Sequence, residues 1–284
     1  MRLVTFQTED AIRHGVLHGE PDNGRIVDLG PGDVLGLIER GQIEASTGPE
    51  RDVGSVRLLA PLLRPPKLLA LARNYQDHIT EGGGQPVDKQ RIVPKLFLKP
   101  SSAIIGPDAP LCLPSISSTT DWEVELAVII GTRCRNVAVE DALANVFGYT
   151  IANDVSARTT DWGVERDPDV WNEFFDWLNG KWPDGFAPLG PYVLTADEVP
   201  DPQNLELSLH LNGEQRQRSS TKEMISTVAE TIAFASRFMT LEPGDVIETG
   251  TPSGVGATMG TYLKRGDVME ARIEKLGVLR TPVQ

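Results

Sequence analysis

Residues 121–131, DWEVELAVIIG, combine the pattern of a buried strand with two carboxylates. The apolar residues predict a β-strand, yet Glu123 and Glu125 interrupt its N-terminal end. Because side chains alternate between faces along a strand, residues two positions apart project from the same face. Two like charges that close repel each other unless solvent, a proton or a cation lies between them. The pattern therefore indicates either an edge strand with a wet outer face or a site for a divalent cation.

The composition is typical of a folded, water-soluble protein. The chain has 284 residues, of which 40% are hydrophobic and 24% are charged. This length suits one large domain, or a large domain with a small one. No apolar run approaches the ~20 residues that span a bilayer, so we expect no membrane association.

Charge and cysteine content limit the kinds of binding partner and the cellular compartment that we expect. The formal net charge of −13 argues against nucleic acid as a partner, because phosphate binding needs clustered Lys and Arg. The first residues, MRLVTFQTED, lack the long apolar stretch of a secretory signal. With only Cys112 and Cys134, a disulfide framework is not expected, and a reducing cytoplasm fits.

Prolines divide the chain into two predicted units. Residues 1–60 predict strands at 3–7 and 25–29, a helix at 33–40 and then a polar loop that contains glycine. The segment 58–67, LLAPLLRPPK, contains three prolines, which favour an extended connector. We therefore predict a small N-terminal α+β domain with its connector at 1–66 and a catalytic domain at 67–284.

Strands predominate after residue 67, and they do not alternate regularly with helices. A doubly wound parallel sheet is therefore not expected. One clear helix is predicted within 220–239, where apolar residues from Met224 to Met239 step by three and four. Ser220 and Glu223 have the spacing of a capping box at its start.

A third carboxylate joins the two glutamates as a candidate metal ligand. Asp154 ends the apolar run FGYTIAND, where a strand would deliver it to the edge of a sheet. Three carboxylates without a nearby Cys or His form a site of hard oxygen ligands, which favours Mg²⁺, Mn²⁺ or Ca²⁺ over zinc.

The segment ARNYQDHITEGGG, residues 72–84, contains a candidate general base. His78 and Glu81 are three residues apart, so a helical turn would place them on one face. A carboxylate beside an imidazole raises its basicity and fixes its orientation, which suits deprotonation of water. A surface helical turn with an ordinary ion pair is the alternative.

Basic residues and a glycine-rich loop are candidates for substrate binding. TGTPSGVG, residues 249–256, lacks the glycine spacing of phosphate loops, and no helix pattern follows it. It predicts a tight turn whose N–H groups and Thr251 hydroxyl could hold a carboxylate, or a turn with a structural role only. The basic residues that could bind a substrate carboxylate, or that could equally be surface charges, are Arg73, Lys99, Arg158 and Lys181.

Aromatic residues are concentrated between positions 162 and 192. Such density could line a pocket, form a subunit interface or belong to the core. The cluster comprises Trp162, Trp171, Phe174, Phe175, Trp177, Trp182, Phe186 and Tyr192.

Several motifs occur together in one order along the chain. They are NYQDHITE, FLKPSSAIIG, DWEVELAVIIG, GYTIANDVSAR, GKWPDGFAPLGP, the NGE turn, FMTLEPGDVIETGTPSGVG and YLKRGDVME. Together they resemble the fumarylacetoacetate hydrolase family in its bacterial, acylpyruvase-like branch. The resemblance extends from about residue 67 to the end, and residues 1–60 look like the small N-terminal domain of that branch.

The resemblance implies a β-rich α+β fold, the mixed β-sandwich roll of the family, and a homodimer. It implies that Glu123, Glu125 and Asp154 bind Mg²⁺ or Mn²⁺. It assigns His78 and Glu81 to a catalytic dyad on a segment that closes over the substrate, with Lys181 as the catalytic lysine. The residues predicted to bind substrate are Arg73, Tyr75, Lys99, Arg158, Gly250 and Thr251.

The implied activity is metal-dependent hydrolysis of a C–C bond in a 1,3-dioxo acid of the acylpyruvate or fumarylpyruvate type, in catabolism of aromatic or sugar-acid compounds. The expected partner is a small anionic oxo-acid. Decarboxylation or isomerisation of a related oxo-dicarboxylate, of the oxaloacetate or hydroxyheptadienedioate type, is the first alternative. The second is a non-catalytic, metal-dependent binder of dicarboxylates.

Two departures from the family pattern bear on specificity. Asp161 stands where many relatives have a glutamine that helps to orient substrate or water. The aromatic stretch WNEFFDWLNG has no counterpart that aligns. We expect this segment to reshape the pocket or the dimer contact.

Overall fold

The computed structural model describes residues 1–41 and 48–284. The polar loop predicted after residue 40 includes residues 42–47, which lie outside the described residues. In the described part of the chain, no helix is long and apolar enough to cross a membrane.

The N-terminal part of the chain contributes antiparallel strands and one helix. The strands predicted at 3–7 and 25–29 and the helix predicted at 33–40 are confirmed. The other three strands of this part were not predicted. The elements are β1 (Arg2–Gln7), β2 (Ile12–His18), β3 (Arg25–Pro31), α1 (Leu35–Arg40), β4 (Glu50–Asp52) and β5 (Arg57–Leu59).

The remainder of the chain is rich in strands and has short helices. The strands are β6 (Leu68–Ala72), β7 (Lys95–Lys99), β8 (Ile104–Ile105), β9 (Thr120–Asp121), β10 (Val124–Ile130), β11 (Val146–Asn153), β12 (Ser156–Ala157), β13 (Ala187–Thr195), β14 (Glu206–Leu211), β15 (Glu214–Ser220), β16 (Val246–Glu248), β17 (Val268–Ile273) and β18 (Gly277–Pro282). The helices are α2 (Gln76–Glu81), α3 (Val139–Ala142), α4 (Val170–Asn179), α5 (Val228–Phe238) and α6 (Gly256–Met259).

Two sheets pack together to form the body of the protein. A 12-stranded sheet has the order β4-β3-β2-β1-β13-β11-β10-β16-β6-β7, with β5 paired to β1 and β8 paired to β13. Its described pairs are antiparallel except β16 with β6 and β13 with β8. A four-stranded antiparallel sheet, β15-β14-β17-β18, packs against β10, β11 and β13. The expected β-rich sandwich is confirmed, and the sheet is not of the doubly wound parallel type.

Strand β10 lies in the middle of the large sheet, between β11 and β16. Leu126 and Val128 pack in the core cluster that includes the four-stranded sheet, whereas Ala127 and Ile129 pack in a second cluster on the opposite face. Burial on both faces accounts for the continuous apolar run. The edge-strand interpretation of this stretch is therefore wrong.

Helix α5 confirms the helix predicted within 220–239, but it begins later than the predicted cap. Its capping box consists of Thr227 and Glu230, not Ser220 and Glu223. Ser220 instead ends strand β15, where it pairs with Glu206 of β14. The hydrogen bonds of this hairpin occupy the segment that a longer helix would need.

Two short helices depart from the sequence predictions. Helix α4 lies in the aromatic stretch with no alignable counterpart, and Asp169 caps its N-terminus by accepting from the Trp171 N–H. Helix α6 directly follows the glycine-rich loop, where no helix was expected. It has four residues and ends at Gly260 in the left-handed conformation, φ 62°.

Candidate metal centre and active site

Antiparallel pairing brings three carboxylates together at one end of the large sheet. Val124 lies opposite Asn153, so the start of β10 meets the end of β11. Glu123 precedes β10 and Asp154 follows β11, and the Asp154 N–H donates to the Glu123 carbonyl at 2.9 Å. One carboxylate oxygen from each of Glu123, Glu125 and Asp154 lies within 4.8 Å of the others. The structure thus brings together the three predicted ligands.

The Glu123 carboxylate is buried and surrounded by cationic groups. Burial alone would raise its pKa, but the charges of Lys181 and Arg158, and a smaller contribution from His78, lower it below the usual range. Glu123 is therefore held as an anion.

The Glu125 carboxyl experiences the opposite environment. Its burial, followed by the negative charges of Asp154, Glu248 and Glu123, raises its pKa well above the usual range. The Gly250 N–H donates to its Oε2 at 2.6 Å. Three buried carboxylates, one of them poorly compensated, fit a hard divalent cation such as Mg²⁺ or Mn²⁺.

Two buried lysines contact the same carboxylates. Lys181 Nζ lies 2.8 Å from Glu123 Oε2 and 2.6 Å from Asp154 Oδ2. Lys99 Nζ donates to Asp154 Oδ1 and, at 2.7 Å, to the Phe186 carbonyl. Burial alone would lower the pKa of Lys181, but Asp154 and Glu123 outweigh it and raise the pKa. Both lysines thus lie within the buried centre and are not surface charges.

Arg158 joins the carboxylates to the loop that follows β16. Its Nε donates to Asp121 Oδ2 at 2.8 Å, and its Nη2 lies 2.6 Å from Glu123 Oε1. Asp121 also accepts from the N–H groups of Gly256 at 2.6 Å and Ala257 at 2.9 Å. Arg158 is therefore held between two protein carboxylates.

Helix α2 carries the predicted dyad. His78 Nδ1 lies 2.7 Å from Glu81 Oε1. Glu81 Oε2 accepts from the Gly254 N–H at 2.8 Å and from the Thr258 hydroxyl at 3.1 Å. Partial burial would raise the pKa of Glu81, but the hydrogen bonds from His78, Gly254 and Thr258 lower it. The dyad is therefore more than a surface ion pair, because it also attaches α2 to the glycine-rich loop.

The glycine-rich loop forms the predicted tight turn. Gly250 has φ 90° and Gly254 has φ 101°, values in the left-handed region that favours glycine. The Thr251 hydroxyl donates to the Val124 carbonyl at 2.9 Å and accepts from Gln217 Nε2 at 2.8 Å. The loop N–H groups of Gly250 and Gly254 bind the carboxylates of Glu125 and Glu81, as described above. The loop therefore binds carboxylates as predicted, but the carboxylates that it binds here are side chains of the protein.

Two further residues predicted to bind substrate, Arg73 and Tyr75, lie between β6 and α2. Arg73 has φ 58°, and a Cβ added at Gly84 would lie 2.9 Å from its guanidinium, so the arginine lies against the glycines after α2. Tyr75 is fully buried, and its hydroxyl has no hydrogen-bond partner among the described residues. Its burial, and then the charge of Glu125, raise the Tyr75 pKa. Tyr75 is thus a core residue near the triad.

The aromatic residues separate into two sets. Phe186 and Tyr192 belong to the core, whereas no residue of α4 is buried. Trp177 of α4 packs edge-on against Phe97, with ring centroids 5.0 Å apart, and Lys181 Nζ lies 5.6 Å from the centroid of the Phe97 ring. Helix α4 therefore reaches the neighbourhood of the buried lysines through this aromatic pair and through its C-terminal end, where the Lys181 N–H donates to the Leu178 carbonyl at 3.1 Å.

Two family models match the chain, and together they cover nearly all of it. Fumarylacetoacetate (FAA) hydrolase C-terminal matches residues 67–284, and Rv2993c-like, N-terminal matches residues 1–61. The chain belongs to the fumarylacetoacetate hydrolase family.

Relatives in the fumarylacetoacetate hydrolase family carry several activity names. Oxaloacetate tautomerase fahd2, mitochondrial, of Xenopus laevis is 38% identical over 299 residues, covering 100% of this chain and 90% of that protein. The 2-hydroxyhepta-2,4-diene-1,7-dioate isomerase of Mycobacterium marinum superposes with a TM-score of 0.80 at 34% identity, covering 100% of this chain and 98% of that one. Maleylpyruvate hydrolase from Sphingobium sp. SYK-6, in complex with manganese(II) and pyruvate, gives 0.77 at 33% identity, with coverage of 100% and 98%.

Within this fumarylacetoacetate hydrolase site, two acidic residues are absent from the sequence-based predictions. Asp121 was visible as an acid beside the glutamates, and its partner Arg158 is 37 residues away. Glu248 ends β16, and its burial raises its pKa to about 7. The available signal for Glu248 was a charged residue directly after the apolar residues Val246 and Ile247. The predicted specificity residue Asp161 is exposed, and its carboxylate accepts from the Gly163 N–H at 2.8 Å.

Proposed function

We propose that this protein is a divalent-metal-dependent hydrolase that cleaves a C–C bond in a small 1,3-dioxo acid of the acylpyruvate type. The observation that carries the proposal is the His78–Glu81 pair on α2, which is attached to the same glycine-rich loop that binds Glu125 of the carboxylate triad. Family relatives that catalyse hydrolysis, isomerisation or tautomerisation of oxo-acids support an enzymatic role. A positioned base argues against a protein that only binds dicarboxylates, because binding alone needs no base.

The dyad defines which nitrogen acts as the base. Glu81 Oε1 lies 2.7 Å from His78 Nδ1, so the carboxylate holds a proton on Nδ1 and leaves Nε2 as the acceptor. His78 takes a proton from water at Nε2, and Glu81 stabilises the resulting imidazolium. The hydroxide attacks the distal carbonyl carbon of the substrate.

Glu123, Glu125 and Asp154 would hold Mg²⁺ or Mn²⁺. A divalent cation bound there supplies Lewis acidity to the 2-oxo carboxylate group of the substrate and stabilises negative charge on its oxygen. The negative environment that raises the pKa of Glu125 is the reason a cation is favoured at this position.

The remaining steps use cationic and N–H groups of the chain. When the C–C bond breaks, its electron pair moves into the pyruvate fragment, and Lys181 stabilises the enolate oxygen. His78 returns its proton to the carbon that was released. We propose that Arg73 orients the substrate carboxylate, whereas Arg158 positions Glu123 and the turn at Gly250 and Thr251 positions Glu125 and the start of β10.

Oxaloacetate tautomerisation is a second candidate, favoured by the whole-length similarity to the Xenopus laevis relative. The same base would move a proton between carbon 3 and the 2-oxo oxygen, and no water would attack. Isomerisation of a related dicarboxylate would use the same proton acceptor, and the Mycobacterium marinum neighbour favours isomerisation. Decarboxylation would need no proton acceptor, because CO₂ departs and leaves an enolate that must then be protonated.

One experiment separates these reactions. The chelator-stripped protein is incubated with acetylpyruvate or with oxaloacetate, with and without Mg²⁺ or Mn²⁺. Metal-dependent release of equal amounts of pyruvate and acetate from acetylpyruvate is the expected result. Accelerated conversion of enol to keto oxaloacetate, followed by ultraviolet absorbance, without release of acetate from acetylpyruvate would replace hydrolysis by tautomerisation.

We also propose that the protein is a homodimer in a reducing, cytoplasmic setting. Both cysteines, Cys112 and Cys134, are free. Helix α4 exposes large apolar side chains, including Trp171, Phe174 and Phe175, which a second subunit could cover. Light scattering on the eluted protein measures the mass directly.

A further inference from the structure

Asp154 has no carboxylate oxygen free of a lysine. Lys181 contacts Oδ2 at 2.6 Å, and Lys99 contacts Oδ1. A divalent ion that ligates Asp154 must approach an oxygen that already accepts from an ammonium group. Two cations that share one oxygen repel each other, so one lysine is expected to withdraw when the ion binds.

The two lysines differ in the alternatives open to them. The carboxylates that contact Lys181 are Glu123 and Asp154, which are both candidate ligands. Lys99 Nζ, in contrast, also lies 3.9 Å from Oε2 of Glu248, outside the ligand triad. A displacement of about 1 Å would turn this approach into a hydrogen bond of ordinary length. The bond from Lys99 to the Phe186 carbonyl could persist during that displacement.

Glu248 is a buried carboxylate that is available to accept a hydrogen bond. It is fully buried on β16, opposite Ala127 of β10. Neither of its side-chain oxygens has a hydrogen-bond partner in the described residues. Buried carboxyl groups without partners are rare and unfavourable, so such a group calls for a functional explanation.

We propose that Lys99 is a built-in counter-cation of the metal site: it neutralises Asp154 when the site is empty and moves to Glu248 when a divalent cation binds. Glu248 is then a positioning residue, because it acts on the ion through Lys99. This assigns Lys99 to the control of metal binding and leaves to Lys181 the role proposed for it above, stabilisation of the enolate. The inference rests on the metal site of the proposed function but not on which reaction follows.

Calorimetric titration of MnCl₂ into the chelator-stripped protein, without substrate, tests the exchange. We expect Glu248→Gln to weaken Mn²⁺ binding by about tenfold, a typical coupling between sites, because Lys99 then stays on Asp154. Lys99→Met should bind Mn²⁺ at least as tightly as the natural protein. Adding Glu248→Gln to Lys99→Met should change the affinity by less than about threefold, since the coupling is gone.

Asp245→Asn provides the matched control. Asp245 is a buried carboxylate just before β16, paired with Lys67 at 2.7 Å, and lies three positions from Glu248 along the chain. Its replacement removes a similar charge without touching the triad, so the affinity should stay within about twofold. A loss equal to that of Glu248→Gln would mean that a distant charge explains the effect, and would overturn the proposal. An equal effect of Glu248→Gln with and without Lys99 would overturn it as well.

Crystals of the natural protein soaked in MnCl₂ give a second test that needs no variant to fold. We expect Lys99 Nζ within hydrogen-bond distance of Glu248 and detached from Asp154. An ion bound to the triad while Lys99 still contacts Asp154 would overturn the exchange and leave the metal site intact. Absence of Mn²⁺ binding in the natural protein would instead refute the metal site, and the exchange with it.

Discussion

The carboxylate triad and helix α2 form neighbouring parts of one site, but they are held in different ways. Glu123, Glu125 and Asp154 lie on or next to central strands and are almost completely buried. Helix α2 has six residues, and the side chains of His78 and Glu81 are 18% and 17% exposed. A helix this short depends on tertiary contacts for its stability. The comparison indicates that the proposed ligands are fixed by strand pairing and core packing, whereas the proposed base lies on a short helix held by a few tertiary contacts.

If this division is correct, metal binding and proton transfer separate under mutation. Changes in the triad should abolish both functions, because the substrate needs the ion. Changes in α2 should remove turnover and leave the ion in place. The contribution of α2 to the stability of the protein should also depend on pH, independently of the triad.

The largest effect is expected from Glu123→Gln. This near-isosteric change removes one ligand charge and leaves the buried Lys181 and Arg158 without their shared anion. We expect Mn²⁺ binding to fall below detection and turnover to drop by about 10³-fold or more, since the Lewis acid is lost. Calorimetry and a pyruvate assay measure the two effects.

Glu214→Gln is the control for this prediction, because Glu214 is a solvent-exposed glutamate of β15. It should bind Mn²⁺ and turn over substrate as the natural protein does. Full metal-dependent activity in Glu123→Gln would remove Glu123 from the ligand set and break the proposed centre.

The second largest effect, from His78→Ala, should distinguish the carboxylate triad from helix α2. In His78→Ala, the base is removed and the triad is untouched. We expect turnover to fall by about 10²- to 10⁴-fold, the usual contribution of a general base, with the Mn²⁺ dissociation constant within about threefold. A loss of Mn²⁺ affinity as large as the loss of turnover would show that α2 and the triad are one cooperative unit.

The triad was predictable because its geometry depends on a local rule. Alternation along the extended chain from Glu123 into β10 predicts Glu123 and Glu125 on one face, and the end of an apolar run locates Asp154 at the same sheet end. The i,i+3 spacing on a helical turn likewise predicts the contact between His78 and Glu81, which the structure shows at 2.7 Å. In these cases the deciding partners lie close in sequence or follow from strand pairing.

Contacts between distant residues were not predictable in this way. Lys99 meets Asp154 from 55 positions away, so nothing local indicates that it lies in a buried centre. The sequence also offers two capping boxes seven residues apart, at Ser220 and at Thr227, and local spacing fits both. The β14–β15 hairpin decides between them, because it incorporates Ser220 into a strand. Tertiary pairing thus overrides a valid local signal.

The smallest effect concerns the attachment of α2 and its dependence on pH. The folded protein holds Glu81 with a pKa below its usual value, so the protein binds fewer protons at this group than the unfolded chain does. Glu81 therefore stabilises the fold above about pH 4.5, its ordinary range, and this stabilisation is lost as the pH falls through the folded pKa. Glu81→Gln should lower the free energy of unfolding by about 1 kcal/mol at pH 7, or the Tm by about 2 °C. The reason is that the hydrogen bonds at this position would no longer be made to a charged carboxylate.

The measurement is a series of thermal melts between pH 3 and pH 7, carried out in the presence of a chelator so that metal linkage does not contribute. The Tm of the natural protein should approach that of Glu81→Gln as the pH falls, because the protonated carboxyl no longer differs in charge from the amide. Glu140→Gln, at an exposed position of α3, should follow the natural curve throughout. Parallel curves for the natural protein and Glu81→Gln down to pH 3 would mean that the Glu81 carboxylate does not secure α2 to the glycine-rich loop. Helix α2 would then be held by its backbone and apolar contacts alone, and the contrast with the strand-borne triad would be weaker than the hydrogen bonds suggest.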